Sequence, residues 1–379
     1  MNRPTVSYAV LSDVHLGHRR NPSTAIIENL KKVLGQLTSQ RLDVLFIAGD
    51  LFDRLLDNSM PDKRDINLWI YWLLKYCHLH HVKLRVLEGT PSHDWKQSTN
   101  IDIIRQISGL ELDYAYVPAL HIEHLSDLGL YVLYVPDEWN ETTTETFQQV
   151  QSLMAEAGIS QVDIAIMHGQ FNYQIRQAPA SIPRHQEDDY LGIVRHYIHI
   201  GHVHTHTVNE RIIAQGSFDR LSHGEEEPKG LVWAEVRSDG TRQYHFIENT
   251  EAMIFKTVQL KGEDIQDIMA YLDKRILKYR PGSFIRLKGR KDHPGFSYYE
   301  ELKKRYALYS LTKQGEELET TQVVDIGVLN DYQSFSITTD NVRGLLSDNI
   351  RARYEFHDQH WTYMHGVLDE ILGVKDGSS

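Results

Sequence analysis

Short apolar runs alternate with segments of helical periodicity along the first 250 residues of the chain. This alternation is typical of an α/β domain, in which strands pair into sheets and helices cover their faces. The segment that begins near Ser23 repeats its apolar residues at 3.6-residue spacing, as a packed helix does. The predicted strands are Tyr8 to Leu11, Val44 to Ala48, Leu84 to Leu87, Tyr131 to Val135, Asp163 to Met167, Tyr197 to Ile200, Ile212 to Gln215 and Leu231 to Val236.

A shorter pattern of strand, helix, strand and helix begins near Glu251. The last segment of the chain repeats apolar residues at helical spacing, with charged residues between them. We therefore expect three parts, namely a large α/β domain in residues 1–250, a smaller α/β domain in residues 251–325 and a helical segment in residues 326–379.

The composition is that of a soluble globular protein, with 41% hydrophobic and 24% charged residues. No apolar run approaches the roughly 20 residues that a membrane-spanning helix needs. Removal of a signal peptide would take away Asp13 and His15, so we expect an intracellular protein, from a bacterial or a phage-infected cell. The net charge of -12 argues against a uniformly basic nucleic-acid surface and leaves room for a local basic patch.

The single cysteine, Cys77, cannot form an internal disulfide or a cysteine-based zinc site. It lies in a predicted amphipathic helix, where a small buried side chain is the simplest interpretation. Histidine is frequent, with 21 residues, and this favours metal binding without demonstrating it. Ordinary surface or core roles are assigned to His78, His80, His81, His121, His124, His206 and His360.

Residues that could bind a metal follow the ends of five predicted strands. They occur in the segments Asp13-Val14-His15, Gly49-Asp50, Ser92-His93-Asp94, His168-Gly169 and Gly201-His202-Val203-His204. Because the carboxyl ends of neighbouring parallel strands meet at one edge of a sheet, these groups can converge on one crevice. Mixed carboxylate and imidazole ligands suit Mn, Fe or Zn, and a central Asp can bridge two ions.

In this order, the motifs resemble those of the calcineurin-like metallophosphoesterase superfamily, whose pattern is D-x-H, G-D, G-N-H-D, G-H and G-H-x-H. A second signature resembles the SbcD-type nucleases of double-strand-break repair. It consists of Gly216-Ser217-Phe218-Asp219-Arg220, Gly224-Glu225 and Lys229-Gly230. The likeness implies a metallophosphoesterase β-sandwich flanked by helices, followed by a smaller α/β capping domain.

The resemblance also implies the ligands of two divalent ions, with manganese favoured and magnesium as the alternative. Asp50 bridges the ions, which activate water and clamp the phosphate oxygens. The remaining implied ligands are Asp13, His15 and His204 for one ion, and His168 and His202 for the other.

Three further residues receive roles from the same resemblance. His93 protonates the departing sugar oxygen, and Asp94 orients His93. Asp53 lies close behind Asp50 in the sequence, and it either supports a metal ligand from outside or caps a helix.

The chain departs from the superfamily at the asparagine of G-N-H-D, which is a metal ligand. Ser92 takes that place in the segment Gly89-Thr90-Pro91-Ser92-His93-Asp94. A serine hydroxyl is a shorter and poorer ligand than an amide oxygen, so the second ion is expected to bind more weakly, or Thr90 or a water fills the position.

A local basic block is the predicted DNA-binding surface, although a solvated helix face would have the same composition. Its members are Lys274, Arg275, Lys278, Arg280, Arg286, Lys288, Arg290 and Lys291. The resemblance adds two partners: a coiled-coil SMC-like ATPase, which binds the C-terminal segment, and a second copy of this chain in a homodimer.

The sequence thus predicts a manganese-dependent DNA nuclease with 3′-to-5′ exonuclease and single-strand endonuclease activity, acting with an ATPase. Two alternatives stay open. One is a phosphodiesterase or phosphatase of the same superfamily that acts on small molecules, and the other is a noncatalytic tether for DNA ends.

Overall fold

The computed structural model of the protein describes residues 5–57, 59–174 and 183–316. These residues all belong to the first of two units of the chain, which extends to residue 318. The predicted C-terminal helical segment, residues 326–379, lies outside the described residues. No helix in the three described ranges combines the length and the apolar composition that a membrane span requires.

The strands of the described residues form three sheets. In chain order the strands are β1 (Val6–Leu11), β2 (Val44–Ala48), β3 (Lys83–Leu87), β4 (Tyr114–Val117), β5 (His121–Leu125), β6 (Leu130–Val135), β7 (Val162–Gly169), β8 (Val194–His202), β9 (Thr207–Asn209), β10 (Ile212–Ala214), β11 (Gly230–Val236), β12 (Arg242–Glu248), β13 (Phe255–Gln259), β14 (Phe284–Arg290) and β15 (Ser310–Glu316).

Helices occupy many of the connections between these strands. They are α1 (Ser23–Gln36), α2 (Pro61–His80), α3 (Pro91–Asp94), α4 (Thr99–Ser108), α5 (Thr143–Glu156), α6 (Glu187–Ile193), α7 (Ile265–Ile276), α8 (Pro294–Ser297) and α9 (Tyr299–Arg305), with a short 3-10 helix at Leu37–Ser39.

Two six-stranded mixed sheets form the larger part of the fold. Their strand orders are β12-β11-β1-β2-β3-β4 and β5-β6-β7-β8-β10-β9. In the first sheet β1 to β4 run parallel, and in the second β6, β7 and β8 run parallel. The predicted α/β class is confirmed, as two sheets flanked by helices.

The apolar core is layered. Tyr8 and Val10 of β1 pack with residues of β7 between the two sheets. The alternate residues of β1, Ala9 and Leu11, face the opposite side and pack with α1 and α2, where Cys77 is buried as predicted. Helix α5 covers the outer face of the second sheet. Because both faces of these central strands are covered, their sequences are continuously apolar.

The third sheet has the order β13-β14-β15, and all of its strands are parallel. Ile285 and Leu287 of β14 face a core that they share with α7 and α9. The alternate residues, Phe284, Arg286 and Lys288, are half-buried on the other side of the strand. We call that side, with its neighbours on β13 and β15, the polar face of the third sheet.

Candidate metal centre

The carboxyl ends of parallel strands from both large sheets meet at one edge of the fold. Hydrogen bonds of His168 and His202 join the sheets there. Nδ1 of His168, in β7, lies 2.7 Å from the carbonyl oxygen of Ala48, at the end of β2. The backbone N–H of His202, at the end of β8, donates to both carboxylate oxygens of Asp13 at 2.9 and 3.1 Å. The predicted strand ends therefore converge.

A first cluster of ligand groups consists of Asp13, His15 and His204, whose ligand atoms lie within 4.8 Å of one another. The Nε2 atoms of His15 and His204 are 3.2 Å apart. Nε2 of His204 lies 3.8 Å from Oδ1 of Asp13. Asp13 and His15 are buried, and the group is the one predicted for a single ion.

A second cluster consists of Asp50, His168 and His202, again within 4.8 Å of one another. Nε2 of His168 lies 3.3 Å from Oδ1 of Asp50. The other oxygen of Asp50, Oδ2, lies 3.8 Å from Nε2 of His15 in the first cluster. Asp50 therefore contacts both clusters, which is the position that a bridging ligand requires.

The chemistry of these groups fits a divalent transition ion. Nδ1 of His168 donates to a backbone carbonyl, which leaves Nε2 facing Asp50, where it can either carry a proton or act as a metal ligand. Burial would lower the pKa of His168, and the carboxylate of Asp50 raises it well above its usual value. A bound cation can replace that proton as the partner of Asp50, so these buried clusters could hold a metal ion.

Backbone strain is concentrated at the ligands. Asp13, His15, Asp50 and His202 have φ angles of 51°, 52°, 47° and 96°, in a region that non-glycine residues rarely adopt. Conformations of this kind persist only where the surrounding structure enforces them, and they are frequent at functional sites.

His93 lies at the rim of the two clusters. Its Nδ1 is 2.8 Å from Oδ2 of Asp50, and its side chain is 28% exposed. Nε2 has no hydrogen-bond partner among the described residues. Burial would lower the pKa of His93, and the hydrogen bond and charge of Asp50 raise it above its usual value. A partly exposed ring that contacts Asp50 is suited to proton donation.

Asp94 has a different role from the predicted one. Its Oδ1 accepts the N–H of Phe52 at 2.9 Å, and its Oδ2 accepts the N–H of Gly89 at 2.8 Å. Both oxygens are thus used to join the loops after β2 and β3, and Asp94 does not orient His93 in the described structure. Burial and the nearby charge of Asp50 raise the pKa of Asp94 to about 8.

Thr90, rather than Ser92, lies at the second cluster. Ser92 is exposed on the short helix α3. The Thr90 hydroxyl lies 3.3 Å from Oδ2 of Asp50, 3.5 Å from Nε2 of His168 and 3.4 Å from Nδ1 of His202. Pro91 and Ser92 begin the helix and carry the chain outward, so Thr90 is the residue at the second cluster.

Asp137 is a neighbour of the second cluster that the sequence prediction missed. Its Oδ2 lies 3.4 Å from Nδ1 of His202 and accepts the Thr90 hydroxyl at 3.2 Å. It follows β6, which is parallel to β7, so its position after a predicted strand was the available signal. Asp53, the predicted support, lies 3.5 Å from Nδ1 of His15.

The predicted basic block is divided between two surfaces. Lys274, Arg275 and Lys278 are exposed at the end of α7, whereas Arg286 and Lys288 lie on the polar face of the third sheet. Several members have acidic partners, and these ion pairs are Arg280 with Glu251 (2.6 Å), Lys288 with Glu316 (2.8 Å) and Arg290 with Asp292 (3.1 Å). Lys291 is exposed directly after β14.

Gly49 allows the close approach of the two sheets at the second cluster. Its φ is +81°, and a Cβ there would lie 2.2 Å from Nδ1 of His168. We expect Gly49→Ala to displace His168 and to lower the free energy of unfolding by more than the roughly 1–2 kcal/mol of a left-handed alanine. Gly158→Ala is the matched control, because Gly158 has a φ of +65° and open space around it. Equal losses in thermal unfolding would contradict this explanation.

Comparisons with known proteins give little support of their own. A solved crystal structure matches with a TM-score of 0.40 and 11% identity over 65% of this chain and 100% of that chain. The crystal structure of TT1561 of Thermus thermophilus matches with a TM-score of 0.37 and 8% identity, over 64% of this chain and 100% of its own. No family model and no curated protein matches the chain. Similarities this low carry no argument about function.

Proposed function

We propose that this chain is a manganese-dependent DNA nuclease of the SbcD type, within the metallophosphoesterase class. The observation that carries the proposal is the pair of adjacent Asp/His clusters, with Asp50 of the second in contact with His15 of the first and with His93 at their rim. Paired divalent ions act on phosphodiesters as Lewis acids and activate water. We infer 3′-to-5′ exonuclease and single-strand endonuclease activities from the sequence resemblance.

The protein groups have separable tasks in this reaction. The first and second clusters would hold the metal ions. Asp50 contacts a histidine of each cluster and so fixes their separation. Thr90 and Asp137 hold the ring of His202 from the side, since both lie 3.4 Å from its Nδ1. His93 gives its proton to the departing sugar oxygen, because it alone combines contact with Asp50 and a free, partly exposed ring nitrogen among the described histidines of the centre.

A path for DNA leads from the centre to the polar face of the third sheet. The loop after β10 carries His223, whose ring contacts Phe255 at a centroid distance of 5.3 Å. Phe255 is itself buried and stacks on Phe284 at 4.6 Å, and the half-buried Arg286 and Lys288, which DNA could contact, follow along the same side of β14. Burial and then the charge of Arg286 lower the pKa of His223 to about 4. Cations along such a path would bind the DNA backbone.

The division of the basic block gives a direct test of this path. We expect the double variant Arg286→Gln with Lys288→Gln to weaken DNA binding and to reduce the salt slope of log Kd by about one for each phosphate that is no longer neutralised. The matched control, Lys274→Gln with Lys278→Gln, removes the same charge from the end of α7. Fluorescence anisotropy at several salt concentrations measures both. An equal or larger effect of the control variant would assign DNA to α7 instead.

Helices α2 and α4 offer a surface for the proposed homodimer. Large apolar side chains are exposed on α2 and α4, with Leu68 at 57%, Ile103 at 53% and Ile107 at 83% exposure. Packing of these adjacent helices against a second copy would cover them, which supports the homodimer. The segment assigned to the SMC-like ATPase, residues 326–379, lies outside the described residues, so that partner rests on the sequence resemblance.

Substrate preference tests the proposed function. Recombinant protein with added Mn should degrade linear duplex and single-stranded DNA in preference to cyclic nucleotides and bis-nitrophenyl phosphate. A clear preference for the small substrates would favour a small-molecule phosphodiesterase. A chain that binds DNA ends and retains no metal ion would instead be a tether.

A further inference from the structure

A half-buried carboxylate outside both clusters, that of Glu225, contacts one of the candidate ligand histidines. Oε1 of Glu225 lies 3.2 Å from Nδ1 of His204 and accepts the Ser222 hydroxyl at 3.0 Å. Oε2 accepts the N–H of Leu221 at 3.2 Å and lies 3.2 Å from Nζ of Lys229. Every one of these partners donates or can donate a proton, so the site is built for a carboxylate.

Lys229 completes the arrangement from the other side. It is only 1% exposed, and its Nζ donates to the carbonyl oxygen of His204 at 2.8 Å and to Oε1 of Glu227 at 2.7 Å. A buried lysine needs such partners, and its charge beside Glu225 favours the ionised carboxylate. The same lysine thus supports the backbone of His204 and the group that contacts its ring.

The connection after β10 packs closely on the same histidine. The N–H of Ser217 donates to the carbonyl oxygen of His204 at 3.0 Å, and the Ser217 hydroxyl donates to Oε2 of Glu225 at 3.3 Å. A Cβ on Gly216, which has a φ of +74°, would lie 2.8 Å from the carbonyl oxygen of His204. Both the ring and the backbone of His204 are therefore held from this loop.

These contacts decide which nitrogen of His204 is available. An ionised carboxylate can only accept, so Nδ1 of His204 must carry the proton that it shares with Glu225. Nε2 then keeps its lone pair, and it is the atom that faces His15 and Asp13 in the first cluster. Carboxylates that fix the tautomer of a ligand histidine in this way raise its basicity and its affinity for a metal.

We propose that Glu225, supported by Lys229, is a positioning residue that sets the affinity of the first cluster for its ion. The proposal rests on the proposed function only in that the first cluster binds a metal. It gives a physical role to the Glu225 and Lys229 positions, which the sequence resemblance left without one.

Metal titration with matched glutamate variants tests the proposal. In Glu225→Gln, the NH2 group of the amide must face either Nδ1 of His204 or Nζ of Lys229, and both of these atoms are donors. We expect one of two Mn sites to bind about 10–100-fold more weakly. Glu226→Gln is the control, because Glu226 pairs with Lys256 of the third sheet and not with His204. Glu225→Asp should restore part of the affinity. Unchanged calorimetric affinity at both sites in a folded Glu225→Gln protein would overturn the positioning role.

A measurement on the wild-type protein tests the proposal even if the Glu225→Gln variant does not fold. Nitrogen-15 spectra of histidine-labelled, metal-free protein, with His204→Gln for assignment, report which nitrogen of His204 carries the proton. Protonated Nδ1 with unprotonated Nε2 supports the proposal, and the reverse tautomer overturns it. A wild-type chain that binds no Mn contradicts the proposed function, and the tautomer then still decides whether Glu225 orients the ring of His204.

Discussion

Asp50→Asn is expected to abolish phosphodiesterase activity and to remove at least one bound ion. Asp50 lies within 3.8 Å of ring nitrogens from both clusters, and it also accepts the N–H of Thr90 at 2.6 Å. Asparagine has the same shape, but it is neutral and one of its terminal atoms is a donor. Loss of an outer partner of a ligand already costs 10–100-fold, so loss of the shared ligand should exceed about 10²-fold in kcat/KM, or about 2.7 kcal/mol.

Activity on DNA and the metal content of the purified variant should be measured together. Asp127→Asn is a suitable control, because Asp127 forms an exposed ion pair with Lys83 at 3.0 Å, remote from the clusters in both sequence and contacts. The control should keep both ions and full activity. An Asp50→Asn protein that cuts DNA at the wild-type rate would refute the assignment of the centre.

His93→Gln is expected to lower kcat on DNA by about 10²–10⁴-fold while leaving the metal content unchanged. His93 forms a third group of possible ligands with His15 and Asp50, but the sequence resemblance assigns it the role of proton donor and not of a ligand to either ion. A sugar alkoxide is a poor leaving group and needs a proton, whereas nitrophenolate leaves without one. The loss should therefore be much smaller with bis-nitrophenyl phosphate than with DNA.

The informative quantity is the loss of activity on DNA relative to the loss on bis-nitrophenyl phosphate. His124→Gln serves as the control, since His124 stacks on Tyr131 at the edge of the second sheet. Equal losses on both substrates would show that His93 acts through binding or structure rather than as the acid for the leaving group.

Sequence reasoning grouped the residues of the two candidate clusters because their signals were strong and local. The strands that precede Asp13, Asp50, His168 and His202 are buried on both faces, so their apolar runs are continuous and their ends are well marked. Each of these four residues lies one or two positions after the last apolar residue of its strand. Parallel pairing then brings the ligands to one edge, as the structure shows.

The strands and site residues that were not predicted have weaker signals in the sequence. Strands β5 and β12 lie at sheet edges, and polar residues such as Glu123 and Gln243 interrupt their patterns. Asp137 carries no distinctive motif, and only the folded chain brings it to His202. Thr90 was an alternative to Ser92 in the sequence, and its contacts with Asp50, His168 and His202 decide between them. The sequence also grouped Lys274 with Arg286, since it cannot show that a helix end and a sheet face point their charges to different surfaces.

The most direct test of the central claim is anomalous diffraction from a crystal of this protein soaked in Mn. We predict two peaks, one among Asp13, His15 and His204, and the other among Asp50, His168 and His202, with Asp50 adjacent to both. Absence of ordered manganese at these residues, or a single ion bound elsewhere, would contradict the two-ion nuclease.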